Sequence, residues 1–133
     1  MNFRLLVLDD DVPVRAVARL KETGIGLEIV KLELDEVFDG RYYRISSRGV
    51  ELARQAQEFD AVMIGNNEGT GLNYAHVIPE QMKARTIVLW NRYEPGVEGG
   101  YAALGFTNFA NRNRDPDATD WLLQLALEAT IQV

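Results

Sequence analysis

Short, continuous apolar runs alternate along this chain with stretches whose apolar residues recur at helical spacing. The apolar runs are Phe3–Leu8, interrupted only by Arg4, Ala61–Ile64 and Thr86–Trp90, and Phe106–Ala110 is predicted as a fifth strand. Continuous apolar runs are typical of strands in a parallel sheet that helices cover on both faces. Helical spacing follows Pro13 up to Gly24, and recurs in Val50–Phe59 and Trp121–Ala129. This alternation predicts an α/β protein with a doubly wound, mostly parallel sheet.

The second strand is harder to delimit than the others. Leu27–Leu34 has strand character, Asp39-Gly40 is a turn signal, and Tyr42–Ile45 again has β character. We therefore predict an extra hairpin over residues 27–46, and either arm could join the central sheet. Farther along, Pro79 interrupts a helical pattern over Leu72–Met82, and we expect it to kink or restart that helix.

The length of 133 residues fits one domain, residues 1–133, and the net charge is −6. A chain of this charge is repelled by phosphate backbones and anionic lipid, so we expect neither nucleic-acid nor membrane binding. No cysteines are present and no stretch approaches the roughly 20 apolar residues of a membrane span. We expect a cytoplasmic location. The sequence ends at Val133, directly after the last predicted helix, so we expect no output domain.

Candidate chemistry lies at the strand ends, because open parallel sheets bind ligands at the carboxyl ends of their strands. The residues that follow the predicted strands are mostly acidic or amides: Asp9, Asp10 and Asp11 after strand one, Gly65, Asn66 and Asn67 after strand three, Trp90 and Asn91 at strand four, and Asn111 and Arg112 after strand five.

The stretch Leu5–Arg15, LLVLDDDVPVR, resembles the opening of bacterial response-regulator receiver domains. In that family the first strand delivers an acidic pair that holds Mg²⁺, and Asp9 and Asp10 match it. Ser47–Leu52 resembles the start of the second receiver helix, and Phe59–Ile64 resembles the approach to the phosphoacceptor aspartate. The resemblance implies a flavodoxin-like three-layer sandwich with a five-stranded parallel sheet of order 2-1-3-4-5.

Three of the four receiver switch positions differ from the family pattern. Gly65, flanked by Asn66, matches the phosphoacceptor, and neither residue can attack a phosphoryl group as a carboxylate does. Trp90 stands where a small hydroxyl residue is expected, and the expected lysine falls near Asn111 or Arg112. We therefore predict a degenerate, pseudo-receiver member that is not phosphorylated on aspartate.

The acidic pair has two interpretations. Asp9 and Asp10 could keep a weak Mg²⁺ site, although the third carboxylate is missing. They could instead cap the first helix and interact with its dipole, with their repulsion relieved by Arg112. We predict no dedicated cofactor.

An enzymatic alternative starts from Asp9–Val12, which matches the opening of haloacid-dehalogenase-like phosphatases. There Asp9 would be the nucleophile and Asp11 the general acid of a small Mg²⁺-dependent phosphohydrolase. The later strand ends lack the serine or threonine, the lysine and the second acidic pair of that family.

Two further motifs have plain structural interpretations. Gly65–Gly71 could bind phosphate, but no lysine follows it as in a P-loop, and we expect a plain loop. His76 has Glu80 at helical spacing, which indicates a surface pair rather than a catalytic base.

Aromatic residues in the second half of the chain point to protein contacts. In receivers the face of the fourth helix, fifth strand and fifth helix carries dimerisation and output contacts. By that resemblance Tyr93, Tyr101 and Phe109 are candidate interface residues, and a protein partner or a second copy would dock on this helix 4-strand 5-helix 5 face. We predict a non-enzymatic module of two-component signal transduction that acts through protein–protein interaction.

Overall fold

The strands of the computed structural model form one sheet. The structure describes residues 2–8, 14–32, 34–42, 44–65, 70–90 and 95–111, together with Trp121, Gln124, Leu125 and Glu128. The strands are β1 (Asn2–Leu8), β2 (Gly26–Lys31), β3 (Ala61–Gly65), β4 (Thr86–Trp90) and β5 (Asn108–Asn111). All neighbouring pairs are parallel, in the order β2-β1-β3-β4-β5. This confirms the predicted fold class and strand order.

Helices connect consecutive strands. The α-helices are α1 (Val14–Glu22), α2 (Leu34–Val37), α3 (Ser47–Arg54), α4 (Thr70–Ala75) and α5 (Pro95–Ala103), with 3₁₀ turns at Ala56–Glu58 and Glu80–Arg85. The described residues after β5 are all helical, as predicted for the last helix: Trp121, Gln124, Leu125 and Glu128. None of the described helices is both long and apolar enough to cross a membrane.

Two helix ends follow from residues that the sequence marks. Gly24 adopts a φ of 79°, a left-handed conformation that glycine takes without strain, and it closes the turn after α1. Pro79 separates α4 from the 3₁₀ turn that begins at Glu80, so the predicted restart of the helical pattern is confirmed. The last strand begins later than predicted, at Asn108, because the backbone N–H of Phe106 donates a hydrogen bond to the carbonyl of Tyr101 at the end of α5.

Each inner strand sends alternate side chains to opposite faces of the sheet, and both faces are buried. On β3, Val62 and Ile64 enter the core cluster that α3, α4 and α5 cover. Ala61 and Met63 enter the cluster on the other face, which Leu20 of α1 and Leu125 cover. Every residue of β3 is buried. This two-sided burial explains why the strand sequences are continuous apolar runs rather than alternating ones.

The predicted hairpin over residues 27–46 is wrong: its first arm, Leu27–Leu34, joins the sheet but is shorter than predicted, and the described residues of its second arm, Tyr42–Ile45, belong to no strand. The strand that joins the sheet is Gly26–Lys31, and Leu34–Val37 forms α2 instead of continuing it. The helix is favoured because Asp35 and Glu36 lie in its first turn and because Arg44 donates hydrogen bonds to two carbonyls of the same turn. Only a short turn remains, closed by hydrogen bonds from Asp39 N to Tyr42 O and from Arg44 N to Val37 O.

The start of α3 is tied to α4 by a buried tyrosine. Ser46 caps α3, since its hydroxyl accepts a hydrogen bond from Gly49 N at 3.2 Å. The backbone N–H of Ser46 in turn donates to the hydroxyl of Tyr74 on α4 at 2.9 Å. The two helices can approach because residue 49 is glycine: a Cβ there would lie 2.7 Å from Cε1 of the Tyr74 ring.

We expect Tyr74→Phe to lower the free energy of unfolding by about 1–2 kcal/mol, because it leaves the buried N–H of Ser46 without its acceptor. Chemical denaturation followed by circular dichroism measures this. Tyr42→Phe is the matched control, since the same hydroxyl is removed from a ring that is 56% exposed. Equal stability of the Tyr74→Phe variant and the unmodified protein would show that the Tyr74 hydroxyl does not hold α3 in place.

Candidate functional site

The register of the sheet brings the predicted strand ends to one edge. Ile64 pairs with Leu8, Gly65 pairs with Leu89, and Trp90 pairs with Asn111. Of the six positions expected to form the degenerate phosphorylation site, four lie outside the described residues: Asp9, Asp10, Asn66 and Arg112. Trp90 is described as the last residue of β4, but its side chain is not. Gly65 is therefore the position at which the site can be built in detail.

Gly65 is buried at the end of β3, and α4 packs its backbone directly on it. A Cβ placed on Gly71 of α4 would lie 2.1 Å from the carbonyl oxygen of Gly65, 2.6 Å from the Tyr101 hydroxyl and 3.0 Å from Cγ2 of Ile64. Contacts this short are possible only because residue 71 has no side chain. The space beside the end of β3 is thus filled by protein backbone and a tyrosine, and no carboxylate projects from this position.

Tyr101 is the residue of α5 that reaches this point. It is fully buried and packs edge-to-face against Phe106, with the ring centroids 6.3 Å apart and an interplanar angle of 79°. The prediction that Tyr101 is an interface residue is therefore wrong, because its ring cannot contact a partner. Apart from Val97, the other residues of α5 are small, polar or proline, so Tyr101 is the largest apolar side chain of the helix.

The other two candidate interface residues have different outcomes. Phe109 on β5 is partly buried and packs against the same core cluster as Tyr101. Tyr93 lies outside the described residues.

The sequence analysis did not predict that Gly71 and Tyr101 cover Gly65. The signal for this contact was Gly71 itself, a glycine six positions after Gly65 and directly before the helical pattern that starts at Leu72.

The described donor set does not fit a dedicated Mg²⁺ site. Mg²⁺ prefers octahedral oxygen coordination that includes one or two carboxylates. At the end of β3, Gly65 offers no carboxylate, and the part of the chain that the structure describes contains no group of three acidic or histidine side chains that could hold a metal. Asp9 and Asp10 lie outside the described part, so their two interpretations stay predictions.

His76 does not form the predicted surface pair with Glu80. Glu80 instead makes an ion pair with Lys83, with Nζ and Oε2 2.9 Å apart. Pro79 causes the difference: α4 ends before it at Ala75, so His76 and Glu80 do not share one continuous helix. His76 is exposed, and the described residues place no catalytic acid beside it.

Solved structures that resemble this chain include receiver domains and response regulators, which agrees with the strand order of the sheet. Chemotaxis protein CheY4 of Vibrio cholerae matches 96% of this chain and 98% of its own at a TM-score of 0.54 and 19% identity. A response regulator from Thermotoga maritima matches 96% of this chain and 97% of its own at a TM-score of 0.58 and 16% identity. The signal receiver domain of the response regulator NarL from Mycobacterium tuberculosis matches 96% of this chain and 95% of its own, also at 0.58 and 16%.

No protein-family model and no curated protein matches the sequence. At identities this low, the structural similarity establishes the fold: the chain has the architecture of receiver domains.

Proposed function

We propose that this chain is a receiver-like signalling module that acts through protein–protein contacts and is not phosphorylated on aspartate. The observation that carries the proposal is Gly65. It ends β3, at the position that matches the phosphoacceptor, and it is buried under Gly71 of α4. A receiver fold without the acceptor must transmit its signal through contacts made by the folded chain itself.

The packing around Gly65 supports this proposal beyond the missing carboxylate. Formation of an acyl phosphate requires a carboxylate that attacks phosphorus and space for the transferred group. The Gly65 carbonyl is instead crowded by the Gly71 backbone, with the Tyr101 hydroxyl beside it. No described side chain at this point is a carboxylate that could form an acyl phosphate.

The contact surface for a partner protein is proposed on α5 and β5. Tyr101 turns inward, so the exposed part of α5 presents small residues, among them Gly96, Gly99 and Ala102. Phe109 on β5 remains partly accessible beside them. A smooth helix surface of this kind allows a close approach by a partner backbone.

Incubation with acetyl phosphate and Mg²⁺, followed by intact mass measurement, tests the proposal. We expect no mass gain, whereas a receiver domain that keeps its acceptor aspartate, treated in parallel, should gain one phosphoryl group. An adduct of one phosphoryl group on this chain would overturn the proposal. Turnover of an aryl phosphate that disappears in Asp9→Asn would favour the phosphohydrolase, which none of the comparisons above supports.

A further inference from the structure

Tyr42 and Ile45 are the most exposed large hydrophobic side chains among the residues that the structure describes. Tyr42 is 56% exposed and Ile45 is 47% exposed, and no other large hydrophobic side chain that the structure describes is as accessible. The two residues lie three positions apart between α2 and α3. Large apolar side chains with this exposure can be buried against a partner, which is favourable. Together with Asp35, Arg41 and Arg44 we call these residues the Tyr42 surface.

The segment that contains this surface carries both signs of charge in equal number, unlike the rest of the chain. Residues 35–48 contain three acidic residues and three arginines, whereas the whole chain has a net charge of −6. The excess negative charge therefore lies outside this segment, where two copies repel each other. The segment itself is neutral, so repulsion between copies is weakest here.

The segment is held in shape by its own hydrogen bonds. Arg44 donates to the carbonyl oxygens of Asp35 at 2.7 Å and Glu36 at 3.3 Å. The Asp39 carboxylate accepts from Tyr42 N at 2.8 Å and Arg41 N at 2.9 Å. These two N–H groups, with Tyr42 contributing most, hold the pKa of Asp39 below its ordinary value. A preformed surface loses less entropy when it binds.

Two charged groups of the surface are left for a partner. Asp35 and Arg41 are both exposed, and neither makes an ion pair with any residue within the described ranges. Arg41 stacks on Tyr42 instead, with its guanidinium carbon 5.2 Å from the ring centroid. Exposed tyrosine and arginine together are the residue types enriched at interface centres.

We propose that the Tyr42 surface is the contact between two copies of this chain, related by a two-fold axis. In such an arrangement each contact occurs twice, so Arg41 meets the partner's Asp35 while Asp35 meets the partner's Arg41. Tyr42 and Ile45 are buried between them. A surface with both charges is complementary to itself, which distinguishes a second copy from a purely acidic partner.

This proposal deepens the proposed function, on which it rests, by assigning one protein contact, and it places self-association away from α5 and β5. Its readout is separate from that of the phosphorylation assay. A phosphorylated dimer would overturn the proposed function alone, and an unphosphorylated monomer would overturn the dimer alone.

Sedimentation equilibrium over a range of protein concentrations tests it. We expect a monomer–dimer equilibrium whose dissociation constant rises at least about tenfold in Arg41→Glu, because both copies then place like charges together. The double variant Asp35→Arg, Arg41→Glu exchanges the two charges and should restore dimerisation. Lys21→Glu is the control, since it makes the same charge change at an exposed side chain of α1, which covers the other face of the sheet.

The reciprocal charge exchange makes the experiment specific. Dimerisation of Arg41→Glu with the affinity of the unmodified protein would overturn the proposal, as would a monomer at every concentration. Failure of the exchanged variant to recover, with its circular dichroism unchanged, would exclude the two-fold pairing. A monomer that binds polyglutamate through Arg41 would assign the surface to an acidic partner and overturn the proposal.

Discussion

Gly71→Ala will lower the free energy of unfolding by about 1–3 kcal/mol, although alanine is the better helix former. The added Cβ would lie 2.1 Å from the carbonyl oxygen of Gly65, and backbone cannot move aside as a flexible side chain can. The next neighbour is the hydroxyl of Tyr101 at 2.6 Å, on a fully buried ring. The helix α4 must therefore shift away from the end of β3, and packing is lost on that face of the sheet.

The same substitution at Gly99 is the matched control. Gly99 lies in the middle of α5, and a Cβ there meets nothing within 4 Å. Gly99→Ala should raise stability by about 0.5–1 kcal/mol, because alanine loses less backbone entropy in a helix. The two variants thus change stability in opposite directions in urea denaturation. A stabilised Gly71→Ala variant would show that α4 does not press on Gly65.

The inner strands could be predicted because burial on both faces leaves a strong sequence signal. Phe3–Leu8 and Ala61–Ile64 are apolar at every position except Arg4, and the structure places both in the centre of the sheet. Arg4 is tolerated because its side chain reaches the edge, where it contacts Glu28 and the carbonyl of Glu58. The order of the strands was implied only by the resemblance to receiver domains, and the structure confirms it.

The segment between β2 and α3 could not be predicted correctly, because its structure depends on contacts distant in sequence. Leu32 and Leu34 continue the strand's apolar alternation, yet Leu34 begins α2. The hydrogen bonds that favour this helix come from Arg44, nine and eight positions after the carbonyls that it contacts. A local pattern contains no information about such a contact.

At Gly65, the sequence predicted the end of a strand but not the packing against it. Gly65 was identified as the residue at the phosphoacceptor position, and the register confirms that it ends β3 beside Leu89. The packing of Gly71 and Tyr101 against Gly65 was not predicted, because the sequence pattern places Gly71 in a loop and the resemblance places Tyr101 at a protein interface. The sequence of α5 offers few other large side chains for the core, which indicates that Tyr101 packs inward, whereas the resemblance to receiver interfaces leads to the opposite prediction.

Ile64→Ala should cost about 2–5 kcal/mol, the range for removing a large side chain from a core that cannot collapse around the cavity. Ile64 is fully buried on β3, between Leu8 of β1 and Val88 of β4. Strands on both sides fix its surroundings, and the helices of one face close above it. The loss is measured by denaturant unfolding, with an unchanged m-value indicating that the same surface is exposed on unfolding.

Ile45→Ala is the matched control, because it removes the same atoms from a side chain that is 47% exposed. We expect a change of less than about 0.5 kcal/mol when unfolding is measured at a protein concentration at which the chain is monomeric. Comparable losses in the two variants would mean that Ile45 is buried in the folded chain, and the Tyr42 surface would then lose its apolar centre. A large loss for Ile64 alone places the stability of the fold in the sheet and leaves residues 41–45 available for contacts.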